Sequence, residues 1–388
     1  MNDITIDKTE WKKWRFDEFA QNISERVEPS QTDMDVYVGL EHIDPDTLHL
    51  SRHGHPSDVE GTKLRFYKGD IIFGRRRAYQ RKTALATTDG ICSAHAMVLR
   101  AKEDVVDPSF FPFLFHSKQF IDMAITISVG GLSPTINWKD ISKQEFLLPP
   151  KSEQKRLAEL LWAADEMIEK EKKEKQKLEF FRKSKLKDIF KSTNIHIRLK
   201  DLPFEEINGL WKTDEEDYIN VCVIRSTEFS DYGTICFDKL EPMPVKRSQY
   251  KTRKLFPGDI ILERSGGGPD QPVGRVCWFE REDGEYSFSN FTSCIRVLNS
   301  DIVMSKYLFY FLEYYWEMGG TDRIQNQTTG IRNLDYDLYK MIKIPILFLD
   351  KQRQAISDIG QLYHSIYGSR TKIELSQQLK QELINKIF

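Results

Sequence analysis

The sequence predicts a mixed α/β or α+β fold, with two globular modules alternating with two long, antiparallel, coiled-coil-like helical regions. Three observations predict it. A helical stretch from Lys151 to Phe190 returns 198 residues later, without a gap, as Leu349 to Phe388. Ahead of each copy lie short extended runs followed by a helix, in the same order. Each copy is entered through prolines, Leu148-Pro149-Pro150 and Ile344-Pro345-Ile346, and proline turns the preceding residue away from helix.

The duplication can be followed residue by residue. Glu153-Gln154-Lys155 faces Lys351-Gln352-Arg353, Leu161 faces Ile359, and Lys187-Asp188-Ile189-Phe190 faces Asn385-Lys386-Ile387-Phe388. Asn137-Trp138 precedes Pro149 much as Asn333-Leu334 precedes Pro345. Lys68-Gly69-Asp70-Ile71-Ile72 resembles Pro257-Gly258-Asp259-Ile260-Ile261 at a spacing of 189. An ordered series of this kind points to an internal repeat rather than to chance.

In the first module, Val36 to Leu40, Asp70 to Phe73 and Ala96 to Leu99 read as strands. Pro108 to Ile125 has helical spacing, with Phe111, Leu114, Phe115 and Ile121 apolar, and proline suits a helix start. Val129 to Pro134 reads as a loop. The second module repeats the order, with extended runs at Ile219 to Arg225, Asp259 to Leu262 and Cys294 to Leu298. A helix from Ser305 to Trp316 and a loop at Met318 to Thr321 follow. The aromatic stripe of that helix, Tyr307 to Trp316, fits packing against its own sheet better than base stacking.

The long helices carry coiled-coil-like spacing. Leu157, Leu161, Ala164 and Ile168 lead to Leu178, Phe181 and Leu186. Ile359, Leu362, Ile366 and Ile373 lead to Leu379, Leu383 and Ile387. Two such stripes can cover each other in an antiparallel pair. A helix of about 36 residues spans about 55 Å. Glu166 to Lys177 is mostly charged and reads as a solvated face rather than a DNA-binding strip.

Composition narrows the function. Within 388 residues, 57 basic and 59 acidic side chains leave a formal charge of -2, so any nucleic-acid surface must be local. The first residues, Met1 to Thr5, lack the basic start and apolar run of a signal peptide, and no long apolar run offers a membrane span. A cytoplasmic protein without a membrane partner is expected. Five separated cysteines, with no CxxC pair, fit buried thiols.

The strongest local charge is Gly74-Arg75-Arg76-Arg77-Ala78-Tyr79-Gln80-Arg81-Lys82. Arginine and lysine can hold phosphates, while arginine, glutamine or tyrosine reaches base edges; a solvated hairpin is the bland reading. The equivalent Glu263 to Pro269 is a glycine loop with Arg264 at its edge and Arg275 beyond it. No Gly-Lys-Ser/Thr follows Gly266-Gly267-Gly268, so it is not a phosphate-binding P-loop. Asn/Asp-Pro-Pro-Tyr/Phe, the aminomethylation arrangement, is absent from the sequence. His42, His49, His53 and His55 have no cysteine partners or HExxH spacing and read as surface loop. His95, ahead of a strand, faces DNA or packs.

Taken together, these motifs make the chain resemble the DNA-specificity subunit of type I restriction-modification systems over essentially its full length. The resemblance rests on Leu148-Pro149-Pro150-Lys151-Ser152-Glu153-Gln154-Lys155-Arg156, on its weaker copy Leu349-Asp350-Lys351-Gln352-Arg353, on Gly69-Asp70-Ile71-Ile72 and on Asn333-Leu334-Asp335-Tyr336-Asp337-Leu338. The first module departs from the Asn-Leu pattern with Asn137-Trp138-Lys139-Asp140-Ile141. The resemblance implies target-recognition domains at residues 1–150 and 191–345, with helical spacers at 151–190 and 346–388. It also implies no catalysis by this chain and two modification subunits that bind S-adenosylmethionine and methylate adenine. Two restriction subunits that use ATP and magnesium can join.

Double-stranded DNA is then the expected ligand. Arg75, Arg76, Arg77, Tyr79, Gln80 and Lys82 are the expected contacts in one module, and Arg264 and Arg275 in the other. Leu161, Ile168, Ile359 and Ile366 are the expected partner-facing positions. A target in two halves follows if the modules lie about one turn of B-DNA apart, some 35 Å. The competing reading is a non-catalytic helical adaptor, or an unpaired specificity-like protein, without a defined DNA target.

Overall fold

The computed structural model describes residues 6–210, 217–268, 271–328 and 331–388; Pro269, the last residue of the glycine loop, and Met1 to Thr5 lie outside them. The chain forms two compact units, Met1–Lys173 with Thr371–Phe388, and Glu174–Arg370. The long helices are Lys151–Lys191 and Leu349–Ile387. Each gives one segment to each unit.

Both units carry the same antiparallel central sheet. Its strand order in the first is Ala20–Ile23, Met97–Ala101, Ile71–Phe73, Thr83–Leu85. In the second it is Phe204–Asn208, Thr292–Val297, Ile260–Glu263, Val276–Trp278. A second sheet in each unit contains one parallel pair, Tyr37–Val38 with Gly90–Cys92 and Tyr218–Ile224 with Tyr286–Phe288. The second unit adds a small sheet of Ser265–Gly267, Ile331–Leu334 and Gln325–Thr328.

Two expectations are corrected locally. The run from Pro108 to Ile125 is two helices, Phe111–Leu114 and Lys118–Thr126, because Ser117 Oγ accepts from Phe120 N at 3.1 Å and starts a new helix as its cap. The strand expected over Val36 to Leu40 is only Tyr37–Val38, followed by a helical turn at Leu40–His42. Elsewhere the aromatic helix Ser305–Glu317 is core: Tyr307, Phe309, Tyr310 and Phe311 are buried, and Tyr307 Oη donates to Pro345 O at 3.0 Å. Cys92, Cys277 and Cys294 are buried thiols. Among the described residues no helix is long and apolar enough to cross a membrane.

The repeated Gly-Asp motif has a structural purpose. Gly69 and Gly258 sit at φ 94° and 100°, where a side chain is strained. The next residue turns inward: Asp70 and Asp259 are buried, and each is held by two parallel guanidinium bonds. Arg100 reaches Asp70 at 2.7 and 2.9 Å, and Arg296 reaches Asp259 at 2.8 and 2.7 Å. Tyr67 N and Phe256 N each add a bond of 2.8 Å. A bidentate pair with further hydrogen bonds is the geometry that offsets the cost of burying a charge.

The repeated glutamine explains the helix entrance. Gln154 Oε1 accepts from Asp107 N at 2.7 Å, while its Nε2 donates to Pro149 O at 2.8 Å and Val105 O at 3.1 Å. Gln352 does the same with Met304 N at 2.9 Å, and with Leu347 O and Ile302 O at 2.8 Å each. Both side chains are buried. They satisfy backbone groups at the point where each long helix leaves its module.

Within each unit the helical segments pair antiparallel. In the first, Asp165 meets Lys380 and Glu171 meets Ser376; in the second, Arg182 meets Tyr363 and Lys185 meets Asp358. The inward stripe differs from the one the apolar pattern predicts. Arg182 and Lys380, equivalent at the 198 spacing, are buried, whereas their neighbours Phe181 and Leu379 are 55% and 54% exposed. Leu161, Ile168, Ile359 and Ile366 are all buried, Leu161 in the first core and Ile359 in the second. Their expected role at a partner surface is therefore corrected: their methyl groups are already spent on intramolecular packing.

Candidate nucleic-acid interface

The basic run of the first unit is the hairpin connection between Ile71–Phe73 and Thr83–Leu85. Arg77 and Arg81 both adopt left-handed backbone, φ 57° and 55°, and bracket the turn Ala78–Gln80. Such conformations are uncommon for residues with a Cβ and cost of order 1 kcal/mol each. Bonds to the neighbouring Gly-Gly loop hold Arg77 and Arg76: Arg77 N donates to Pro134 O at 2.7 Å, and Arg76 Nη2 to Ser133 Oγ at 3.1 Å. Arg81 is tied inward to Asp46, His116 O and Gln381.

The expected contacts divide by orientation. Arg77 and Tyr79 are exposed, Tyr79 by 51%, while Arg75, Arg76 and Gln80 are half-buried beside them. Lys82 turns away and donates to Leu40 O at 2.6 Å, which makes it a strut of the loop. The pairing of strands also brings together Arg26, Lys63 and Arg75 along one groove. Partial burial and the charges of Arg76, Arg75 and Lys63 hold the adjacent His95 below its usual pKa. Arg26 lies between Glu25 and Glu28, and Lys63 alternates with apolar residues ahead of Arg65, so neither belongs to a compact basic run like that of Arg75 to Lys82.

The second unit presents a different surface at the same place. The connection after Ile260–Glu263 starts with Arg264, whose Nη1 donates to Glu206 Oε1 at 2.9 Å and Asn208 Oδ1 at 3.3 Å, 4.1 Å above the Tyr336 ring. Arg275 is bound twice to buried Glu263, at 2.8 and 2.9 Å, and to Ser226 O at 3.0 Å. Arg275, expected as a DNA contact, has its guanidinium engaged by a buried carboxylate of its own unit. A basic stretch missed by the motif reading is the helix Arg247–Arg253 with Lys246 and Lys254 at its ends. Arg247 pairs with Asp217 and Lys254 with Glu285, each at 3.3 Å, and Arg253 donates to Asn208 O, so the stretch is largely engaged within the unit although its charge run is legible in the sequence.

The structure also adjusts the duplication. Asn137 and Asp335 each precede a one-turn helix, Trp138–Ile141 and Tyr336–Tyr339, so the counterpart of Asn137 is Asp335, not Asn333. The cap position keeps the 198 spacing of the long helices.

Residues 55–180 match the type I restriction modification DNA specificity domain. The type I restriction enzyme EcoDI specificity subunit of Escherichia coli is 31% identical over 166 residues, 42% of this chain and 37% of that relative. This alignment therefore spans well under half of the relative's length. A protein of Methanocaldococcus jannaschii named for the type I restriction enzyme MjaX specificity subunit is 22% identical over 381 residues, 90% of this chain and 85% of the relative. Two solved structures share the fold at TM-score 0.60. One is a chain of a type I R-M system, with 18% identity, 98% of this chain and 97% of that one. The other is the S subunit of a type I restriction-modification system from M. genitalium, with 15% identity, 100% and 97%.

Proposed function

We propose that the chain is a specificity subunit of a type I restriction-modification system, one that reads a bipartite, asymmetric DNA target and scaffolds the adenine methyltransferase and restriction subunits; the matches to that domain and to two such subunits support the reading. One observation carries the reading. The two units keep the same Asp–Arg pair and the same glutamine clamp, yet present a basic hairpin in one case and a glycine-rich connection with a paired arginine in the other. One scaffold with two surfaces is what two unlike half-targets require. Phosphates supply affinity through exposed basic residues such as Arg77, and base edges supply the sequence.

The chain itself is non-catalytic in this reading. S-adenosylmethionine belongs to the modification partner, ATP and magnesium to the restriction partner, and the assembly works on DNA in the cytoplasm. The partner surface moves from the buried leucine and isoleucine positions to Phe181 and Leu379, which are equivalent and exposed. Two related apolar patches suit two copies of one modification subunit.

Co-expression with a modification subunit, native mass measurement and methylation-site sequencing test the proposal. The expected result is two modification chains per specificity chain and methylation of one interrupted motif that disappears when this chain is omitted. Methyl transfer by the purified chain alone, or a methylation pattern indifferent to its presence, would overturn it.

A further inference from the structure

One corner of the central sheet uses the same backbone positions in both units and fills them differently. In the first unit Asn22 pairs with Leu99, and Leu99 with Ile71; in the second Glu206 pairs with Ile295, and Ile295 with Ile260. This register makes Asn22 the counterpart of Glu206, and Ser24 of Asn208. Arg75, four residues past Ile71, is the counterpart of Arg264, four past Ile260. Trp138 and Tyr336, each the first residue after its cap, complete the set.

The scaffold positions are identical in the two copies, Asp70 with Asp259, Arg100 with Arg296 and Gln154 with Gln352. At the corner only the arginine is kept. In the first unit Asn22, Ser24, Arg75 and Trp138 line an open groove of about 330 Å3 together with Arg26 and Lys63. In the second, the carboxylate of Glu206 engages the arginine directly.

We propose that this corner is the base-reading subsite of each module, and that the residue at Asn22 or Glu206 sets the class of base it accepts. The proposal rests on the DNA-reading function above and extends it to residues. A carboxylate only accepts hydrogen bonds, so Glu206 selects a base that offers an amino group, cytosine N4 or adenine N6. Guanine and thymine turn acceptors toward it and are refused. By occupying Arg264, Glu206 also withholds the guanidinium that would otherwise bind guanine O6 and N7. Asn22 carries a donor and an acceptor, which match adenine N6 and N7, and no carboxylate opposes the surrounding cations.

Selection of binders from a randomised duplex library, with the full chain, tests this. The wild type is expected to enrich a two-part motif. Glu206→Gln should admit guanine at one position of one half, losing about tenfold discrimination there, and leave the other half unchanged. Asn22→Asp should alter one position of the opposite half. The half left intact reports that the variant is folded. A wild-type motif that both variants reproduce, or that either degrades uniformly, would overturn the subsite while leaving DNA reading in place. Absence of any enriched motif for the wild type would overturn the DNA-reading function, and the subsite with it.

Discussion

Lys380 Nζ lies 2.6 Å from Asp165 Oδ1, with both side chains buried between the two helical segments of the first unit. The equivalent cation in the second unit, Arg182, donates to Tyr363 Oη at 3.0 Å and pairs with Glu313 and Glu317. Position 182 or 380 thus meets position 363 or 165 of the other helix, an ion pair in the first unit and a cation–hydroxyl hydrogen bond in the second, and this contact marks the antiparallel register. Lys380→Met should strand the Asp165 carboxylate and cost about 3–5 kcal/mol, whereas Lys380→Met with Asp165→Leu should recover most of it. Hydrogen exchange along residues 158–173 measures both, and equal losses in the single and double variants would refute a register held by this pair.

The glutamine clamps predict a local effect. Gln154→Leu leaves Asp107 N–H and the Pro149 and Val105 carbonyls without their partner, at about 1–3 kcal/mol. Exchange should accelerate at the Asp107 amide and the first turn after Pro150. Gln352→Leu should do the same at Met304.

Stability should fall on both sides of neutrality. The hydrogen bond to Asp165 raises the His49 pKa, so this contribution is complete below the unfolded value near 6.5 and is lost as pH rises through the folded one. Burial depresses His116 to about 4, so the unfolded chain binds its proton first, and stability declines as pH falls from about 6.5 toward 4. Burial pushes Asp165 upward, but His49 and Lys380 outweigh it and hold the carboxyl at about 2, so its contribution is complete above the unfolded value near 3.8 and is lost as pH falls from there through the folded one. Urea titrations across pH should show that His49→Gln loses stability below pH 6 and approaches the wild type at pH 9. A constant difference would remove His49 from this account.

The arginines should separate into two classes. Replacing Arg75, Arg76 and Arg77 with alanine should weaken binding to all DNA sequences, flatten the salt dependence by about one unit of slope for each phosphate no longer neutralised, and through Arg75 relax one base position of the half read by the first unit. Arg275→Met should instead destabilise the second unit, because buried Glu263 loses its counter-charge. Fluorescence anisotropy with thermal melting distinguishes them. Salt dependence unchanged by the triple substitution would take the hairpin out of the interface.

Phe181→Glu and Leu379→Glu test the partner surface, since both positions are exposed and a charge there is tolerated by the chain itself. Each variant should hold one modification subunit in place of two by native mass measurement, and the double variant none. Two subunits retained by both single variants would locate the interface elsewhere.

The sequence by itself determined the duplication, the recurrence of extended runs ahead of a helix in each module, and the two long helices, because backbone preferences and apolar spacing are local and repeat with the chain. It also exposed the basic hairpin, since five of its charges lie within eight residues. Only the tertiary structure decided which side of each long helix turns inward. At Phe181-Arg182 and Leu379-Lys380 hydrophobicity alone selects the wrong neighbour, because the cost of burying a cation is cancelled by carboxylates and a tyrosine far away in sequence. The same holds at the corner. Asn22 and Arg75, or Glu206 and Arg264, come together only through strand register, and whether an arginine lines an open groove or pairs with a carboxylate of its own chain is settled by what the sheet sets beside it.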